Sequence, residues 1–414
     1  MFPPLTPKQI IDKTVREEWG RILASLVGGL NDFQLAEDCL QDAVISAMKH
    51  WSKNGLPRSP AGWLITVARR KALDKLRRTQ NFAAKQDKIS YLLDLENQPM
   101  DENLMGAIPD KRLEMIFTCC HPVLDSKSQI ALTLRTLGGL STDEIAGSFF
   151  DKPDAMQQRI TRAKKKIAAA HIPYEIPEAS DLPERITSVL SVIYLIFNEG
   201  YSATSGDNVL RTELTNEAIR VARILHTLLP DDTEVAGLLA LMLLHDSRRN
   251  ARTDDQGAIV SLEMQNRNRW DRSKILDGVS ILERTLPKNE IGPYQLQAAI
   301  SGAHAQSATW DQTDWQDISA LYGVLFEIQP SPVVRINQAI AVSYADSLEQ
   351  ALTIMDEVSE FPKMQTYQHY HAALGDLLAR AGKTDAAKES LRQAMALSNN
   401  AKEVSFLANK IQQL

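Results

Sequence analysis

Apolar residues recur three and four apart along nearly the whole of this 414-residue chain, and alternating β-branched runs are few. A chain patterned this way lacks the period-two rhythm of strands, so the expected fold is all-α. Two stretches interrupt the pattern. Residues 79–110 are polar and acidic with little continuous periodicity, and read as a linker. His171–Pro183 (HIPYEIPEASDLP) holds three prolines in thirteen residues and cannot continue a helix. The expected organisation is therefore a small helical domain (1–78), a linker (79–110), a second small domain (111–172), a linker (173–183) and a large helical remainder (184–414). The longest apolar run, Val235–Leu244, is far short of the roughly 20 residues that span a bilayer. The start, MFPPLTPKQIIDKT, has no long apolar h-region. Three cysteines in so long a chain point to no disulfide framework and a reducing compartment. A cytoplasmic location without membrane contact is expected.

Charge is divided unevenly. The whole chain carries −6, but residues 1–172 hold 25 Lys/Arg against 20 Asp/Glu (net +5), and the remainder is −11. A basic front half and an acidic back half suit a nucleic-acid module followed by a regulatory or interaction module. The positive charge is concentrated in two helices. PAGWLITVARRKALDKLRR (Pro60–Arg78) places Trp63, Leu64, Val67, Leu73 and Leu76 largely on one side and Arg69, Arg70, Lys71, Lys75, Arg77 and Arg78 on another. A basic amphipathic helix also suits a membrane surface or calmodulin. The helix before it argues for another partner, because FQLAEDCLQDAVISAMKHW (Phe33–Trp51) exposes Glu37, Asp38, Gln41 and Asp42 on one patch. Acid beside base in one small domain fits simultaneous contact with a protein and with DNA.

The second basic segment, LSTDEIAGSFFDKPDAMQQRITRAKKKI (Leu140–Ile167), has a helix-turn-helix pattern. Ser141 is an N-cap and Glu144 completes a capping box. Ile145 and Ala146 form the apolar face, Asp151–Asp154 the turn, and Asp154 caps the next helix. In such motifs the start of the second helix enters the major groove and basic residues hold phosphates. Ser141, Thr142, Ala155, Met156, Gln157, Gln158 and Arg159 are then the expected contacts to bases or the adjacent backbone. Arg162, Lys164, Lys165 and Lys166 are the phosphate contacts. Gln pairs bidentately with adenine and Arg with guanine. The alternative is an ordinary helical hairpin with a solvated basic tail.

AEDCLQDA, then PAGWLITVARRKALDKLRR, then a helix-turn-helix resembles the sigma factors of bacterial RNA polymerase, and within them the small extracytoplasmic-function group. The resemblance covers residues 10–78 and 110–170. It implies that Ala36–Ala43, with Glu37, Asp38, Gln41 and Asp42, docks on core RNA polymerase. It implies that Trp63–Arg78 reads and helps open the −10 element, and that the helix-turn-helix reads the −35 element of promoter DNA. Opening needs a base drawn from the stack with cations on the displaced strand. The loop Asn54–Pro60 with Arg58 is the pocket candidate, and Trp63 is either a stacking platform or a core residue. Val44, where the family has an aromatic, and Ala155-Met156-Gln157-Gln158, where it commonly has Thr-Val-Lys-Ser, bear on the promoter sequence rather than the activity.

The 240 or so further residues resemble the extension of a subgroup with C-terminal tetratricopeptide repeats, through SVIYLIFNEGYSAT (Ser191–Thr204) and Leu239–Asp271. Gly375, Ala387, Leu391 and Ala394 fall at the small and apolar positions of such a unit. A shorter copy begins at Ala341, followed by Tyr344 and Ala351. The resemblance implies control through this domain, with a small regulatory protein as a partner. His245-Asp246 with Arg248, Arg249 and Arg252 is read as a buried polar network, Arg248 and Arg252 pairing with Asp254 and Glu263, rather than a metal or phosphate site. Cys119-Cys120-His121 lacks a second cysteine pair for zinc. There is no P-loop, dinucleotide glycine pattern or nucleophile elbow, so no enzyme, metal or cofactor is expected. The competing reading is a DNA-binding helical-repeat scaffold that does not engage polymerase.

Overall fold

The computed structural model describes residues 6–78, 111–149, 151–201, 212–254, 258–285, 288, 290–362, 364–398 and 400–414. The expected linker 79–110 lies outside them. Every regular element among the described residues is helical, save one antiparallel bridge, Thr253–Ile259. The chain forms two compact units, residues 1–195 and 196–414.

The first unit begins with α1 (Pro7–Leu30). The Thr6 hydroxyl accepts the Gln9 backbone N–H at 3.3 Å, and the Gln9 side chain accepts the Thr6 N–H at 2.8 Å, a reciprocal capping box. α1 ends at Asn31, whose left-handed φ of +47° its short polar side chain tolerates. Asp32 then caps α2 (Phe33–Asn54), and α3 (Pro60–Arg78) follows a loop. Leu23, Leu26 and Leu30 of α1, Leu40, Ala43, Ala47 and Trp51 of α2, and Leu64, Ala68, Ala72 and Leu76 of α3 form the shared core.

Four further helices belong to this unit: α4 (Arg112–Cys119), α5 (Ser126–Thr136), α6 (Thr142–Ser148) and α7 (Pro153–Ala169). α4 and α5 pack directly on α1, and α6 and α7 pack on α5. A Cβ added at Gly20 would lie 2.8 Å from the Leu137 carbonyl oxygen, so only glycine admits the backbone that leaves α5. Gly139, at φ +66°, sits against Trp19 in the same way. The two modules read from the sequence thus share one compact body. The first part of α8 (Leu182–Tyr201), up to Leu195, belongs to this unit, with Arg185 donating to the Phe117 carbonyl at 2.6 Å.

The second unit is built around α10 (Thr233–Ser247), which is flanked by α9 (Thr212–Leu228), α11 (Arg272–Thr285) and α12 (Pro293–Gln306). The apolar run Val235–Leu244 is buried throughout, as a helix apolar on all sides must be in water. Among the described residues no helix is long and apolar enough to cross a membrane. Successive helices α13 (Trp315–Ile328), α14 (Pro332–Ala345), α15 (Leu348–Ser359), α16 (Gln368–Arg380), α17 (Thr384–Leu397) and α18 (Ala401–Gln413) each pack on the next. A Cβ at Gly375 of α16 would fall 2.7 Å from Leu391 of α17, and Ala387 and Ala394 beside it are fully buried. Ala341 of α14 is buried against α12 and α13, and Ala351 of α15 is buried in a separate cluster with Ile336, Ala339 and Val342 of α14.

Candidate nucleic-acid interface

α3 presents its cations as its amphipathic pattern requires. Arg70, Lys75 and Arg77 are exposed, Arg69 and Lys71 half-buried, and Arg58 is exposed on the preceding loop. The Arg78 side chain lies outside the described residues. Arg69 donates to the Ser25 hydroxyl at 3.3 Å, and Lys75 pairs with Asp42 at 2.9 Å. Trp63 is half-buried. It stacks on His50 at 5.6 Å and meets the edge of Trp51 at 5.5 Å, and its ring lines a cleft of about 420 Å³ with Lys49, His50, Lys53 and Asn54. Lys49, His50 and Lys53 are absent from the sequence expectations. Their signal was the cationic turn at the end of α2, one and two residues from Trp51.

The first helix of the expected helix-turn-helix, α6, starts at the capping box read from the sequence. The Ser141 hydroxyl accepts the Glu144 N–H at 3.2 Å, and Glu144 accepts the Ser141 N–H at 2.7 Å. Ile145 and Ala146 are fully buried. The second helix departs from expectation in two respects. Asp154 does not cap it: Pro153 occupies the first helical position, where its fixed φ and missing N–H cost nothing, and Lys152 precedes it without a side-chain cap. Asp154 lies in the first turn, where a negative charge suits the helix dipole. Met156 is not a base reader either. It is 3% exposed and continues the buried row Ile160, Ala163, Ile167.

The outward face of α7 carries Gln157, Gln158, Arg162, Lys165 and Lys166, all exposed, with Ala155 half-buried. The Gln157 amide oxygen accepts the Thr142 hydroxyl at 2.9 Å, tying α6 to α7. Arg159 is held back by Asp151 at 3.1 Å. Cys119 and Cys120 turn inward to the hydroxyls of Thr136 and Thr133 at 3.1 and 3.7 Å. Burial pushes the Cys120 thiol up to about 12, so it stays protonated.

The acidic patch of α2 is only partly open. Gln41 donates to Glu37 at 3.3 Å and Gln34 to Asp38 at 2.7 Å. Glu37 itself, expected at the surface, is buried at 4% exposure. Arg135 of α5 donates to it through Nε at 2.8 Å, and Lys164 of α7 forms an ion pair with its other oxygen. Arg135 also donates to the Leu140 carbonyl at 3.0 Å and packs over the Trp19 ring. Burial, the largest influence, raises the Glu37 carboxyl, but Lys164 and Arg135 together hold it below the ordinary value. Around this triad Gln34, Glu37, Asp38 and Gln41 of α2 face Arg135, Gln157, Ile160 and Lys164 across a cavity of about 260 Å³. Two of the expected DNA contacts therefore line the same cavity as three of the expected polymerase contacts. Arg135, which joins them, is absent from the sequence expectations.

The uncharacterised protein R00370 of Rhizobium meliloti (strain 1021) is 40% identical over 394 residues, covering 95% of this chain and 93% of the relative. This chain belongs to the same family. Residues 18–82, from the second half of α1 through α3, match the model of sigma-70 region 2. Residues 185–286, from α8 through α11, match a family of unknown function, DUF6596. The first match supports a sigma-factor role in polymerase binding and promoter recognition. The second covers Leu239–Asp271 and all of Ser191–Thr204.

Proposed function

We infer that the chain is a sigma factor of the extracytoplasmic-function type, a recognition protein rather than an enzyme. It docks on core RNA polymerase through the α2 face, opens the −10 element with α3 and reads the −35 element with α7. The observation that carries this reading is the coincidence of the sigma-70 region 2 match with the exposed cations of α3. The cleft that Trp63 lines with Lys49, His50 and Lys53 supports its reading as a stacking platform for an unpaired base beside phosphate-neutralising cations. A capping-box helix-turn-helix with exposed Gln157, Gln158 and Arg162 supports duplex reading.

The buried triad adds a condition. While Glu37 holds Lys164, neither side chain is free for its outside partner, and Asp38, Gln41 and Gln157 are crowded into one cavity. The free protein is closed, and core polymerase competes for the α2 face and releases α7. The second unit, read as a tetratricopeptide-like array, governs that exchange, with a small regulatory protein as its ligand in the cytoplasm. The test is capture of core RNA polymerase by the full-length chain, followed by run-off transcription from a pool of promoters. Stable capture with selective initiation supports the reading. Failure to bind core leaves a DNA-binding scaffold.

A further inference from the structure

The loop that follows α10 carries two kinds of charged network. On one side Asp246, 1% exposed, is closed between Arg249 at 2.6 Å and Lys274 at 2.7 Å, an ordinary satisfied carboxylate. On the other side Arg248 and Arg252 have no carboxylate within ion-pair distance among the described residues. The expected pairing with Asp254 and Glu263 does not form. Arg248 donates to the Tyr201 hydroxyl at 2.9 Å, and Arg252 lies 3.6 Å from the Tyr201 ring centroid and donates to that residue's backbone carbonyl. Each guanidinium has five N–H donors, so most of this capacity is unspent.

A third guanidinium adds to the charge. Arg267 is fastened to the His304 and Ser307 carbonyls, and both it and Arg248 pack within 6.0 Å of the Trp270 ring centroid. Two histidines stand beside them, and each has a buried Nδ1 with no hydrogen-bond partner. Burial, and then the neighbouring arginine charges, push His245 well below its ordinary value and His304 down to about 3. Both rings are neutral and serve as hydrogen-bonding groups, not counter-charges. Burial likewise disfavours the charged forms of Arg252 and Arg267, with Arg248 acting against both. Like charges brought together out of water are costly unless an anion meets them.

We propose that this half-buried cluster, Arg248 and Arg252 with Tyr201, His245 and His304, is a binding site for a small polyanion bearing carboxylate or phosphate oxygens. The planar guanidinium fork matches both groups bidentately. Half-burial suits a ligand site: the groups are reachable, yet sheltered enough for charge-assisted hydrogen bonds to outweigh hydration. The site lies within the second unit, so an occupant acts on the part of the chain to which control has been assigned.

The experiment is thermal unfolding and calorimetric titration of the full-length protein with inorganic phosphate and with citrate, against sodium chloride at equal ionic strength. A saturable rise in Tm is expected with at least one probe. Response to phosphate alone assigns a phosphoryl ligand, to citrate alone a carboxylate ligand. Arg252→Gln and Arg248→Gln should each weaken that response roughly 10–100-fold. Arg252→Lys, which keeps the charge and loses the fork, should remain folded and bind less tightly. The Arg162→Ala, Lys165→Ala double variant in α7 should leave the response intact, separating this site from the basic helix of the first unit. A rise that only follows ionic strength, or one unchanged by all three arginine variants, overturns the proposal. The readout is anion binding rather than transcription, so this proposal and the sigma-factor reading fail separately.

Discussion

Each unit closes a buried carboxylate between two cations, but two guanidinium groups of the second unit meet no acid among the described residues. In the first, the Glu37 carboxylate is met by Arg135 and Lys164, cations supplied from 98 and 127 positions along the chain, and the three close one module onto the other. In the second, Arg248 and Arg252 are met by a phenol, a carbonyl and an aromatic ring, and no acid comes to them among the described residues. Net charge does not explain the contrast, because the second unit's part of the chain is the acidic one. A buried charge that finds its partner within the fold acts as a fastener. One that does not is held ready for something outside.

The comparison breaks most readily at Glu37. Replacing it with alanine leaves Arg135 and Lys164 facing each other without an acid, which should lower the stability of the closed first unit by about 3–5 kcal/mol in urea titration. A change below about 1 kcal/mol would mean the triad fastens nothing. The same carboxyl gives a pH signature. Its folded value lies below the ordinary 4.5, so its contribution is complete above pH 4.5 and is lost as pH falls through the lowered value. Wild type and Glu37→Gln should therefore converge in acid and stay apart from neutral to alkaline pH.

Gly20→Ala is the next largest test. Its new Cβ meets the Leu137 backbone rather than a flexible side chain, so a cost of about 1–3 kcal/mol is expected in thermal melts. In DNA binding, Gln157→Ala should relax choice at one or two base pairs by about 1–3 kcal/mol. Arg162→Ala or Lys165→Ala should weaken all sequences alike and reduce the salt slope by about one unit each. A uniform loss from Gln157→Ala would remove it from the base readers. Ser141→Ala, which removes one half of the capping box, should cost about 1 kcal/mol of thermal stability, and no change would leave the box without weight.

Much of this was legible in the sequence. The all-α class, the capping box at Ser141, the inward Ile145 and Ala146, and the close contact at Gly375 follow from local spacing and turn chemistry, which act within one or two helical turns. Met156 was legible too, since it stands four, seven and eleven positions before Ile160, Ala163 and Ile167. The resemblance to a reading helix pointed the other way, and the buried row prevailed. Glu37 was not legible. Helical period separates faces from one another, but it does not reveal that an acidic face will be covered by helices more than ninety positions away. The pairing of Asp246 with Lys274, leaving Arg248 and Arg252 without an acid among the described residues, was hidden for the same reason.

The most direct measurement of the closed sigma-factor account is the affinity of the full-length protein for a promoter duplex at fixed salt, with and without core RNA polymerase. Arg135→Ala serves as the opened form, because Arg135 belongs to neither proposed docking surface. Weak binding by the free wild type, tight and sequence-selective binding once core is added, and a gain for free Arg135→Ala are expected. Equal binding with and without core, and no gain from Arg135→Ala, would contradict the closed state of the free protein.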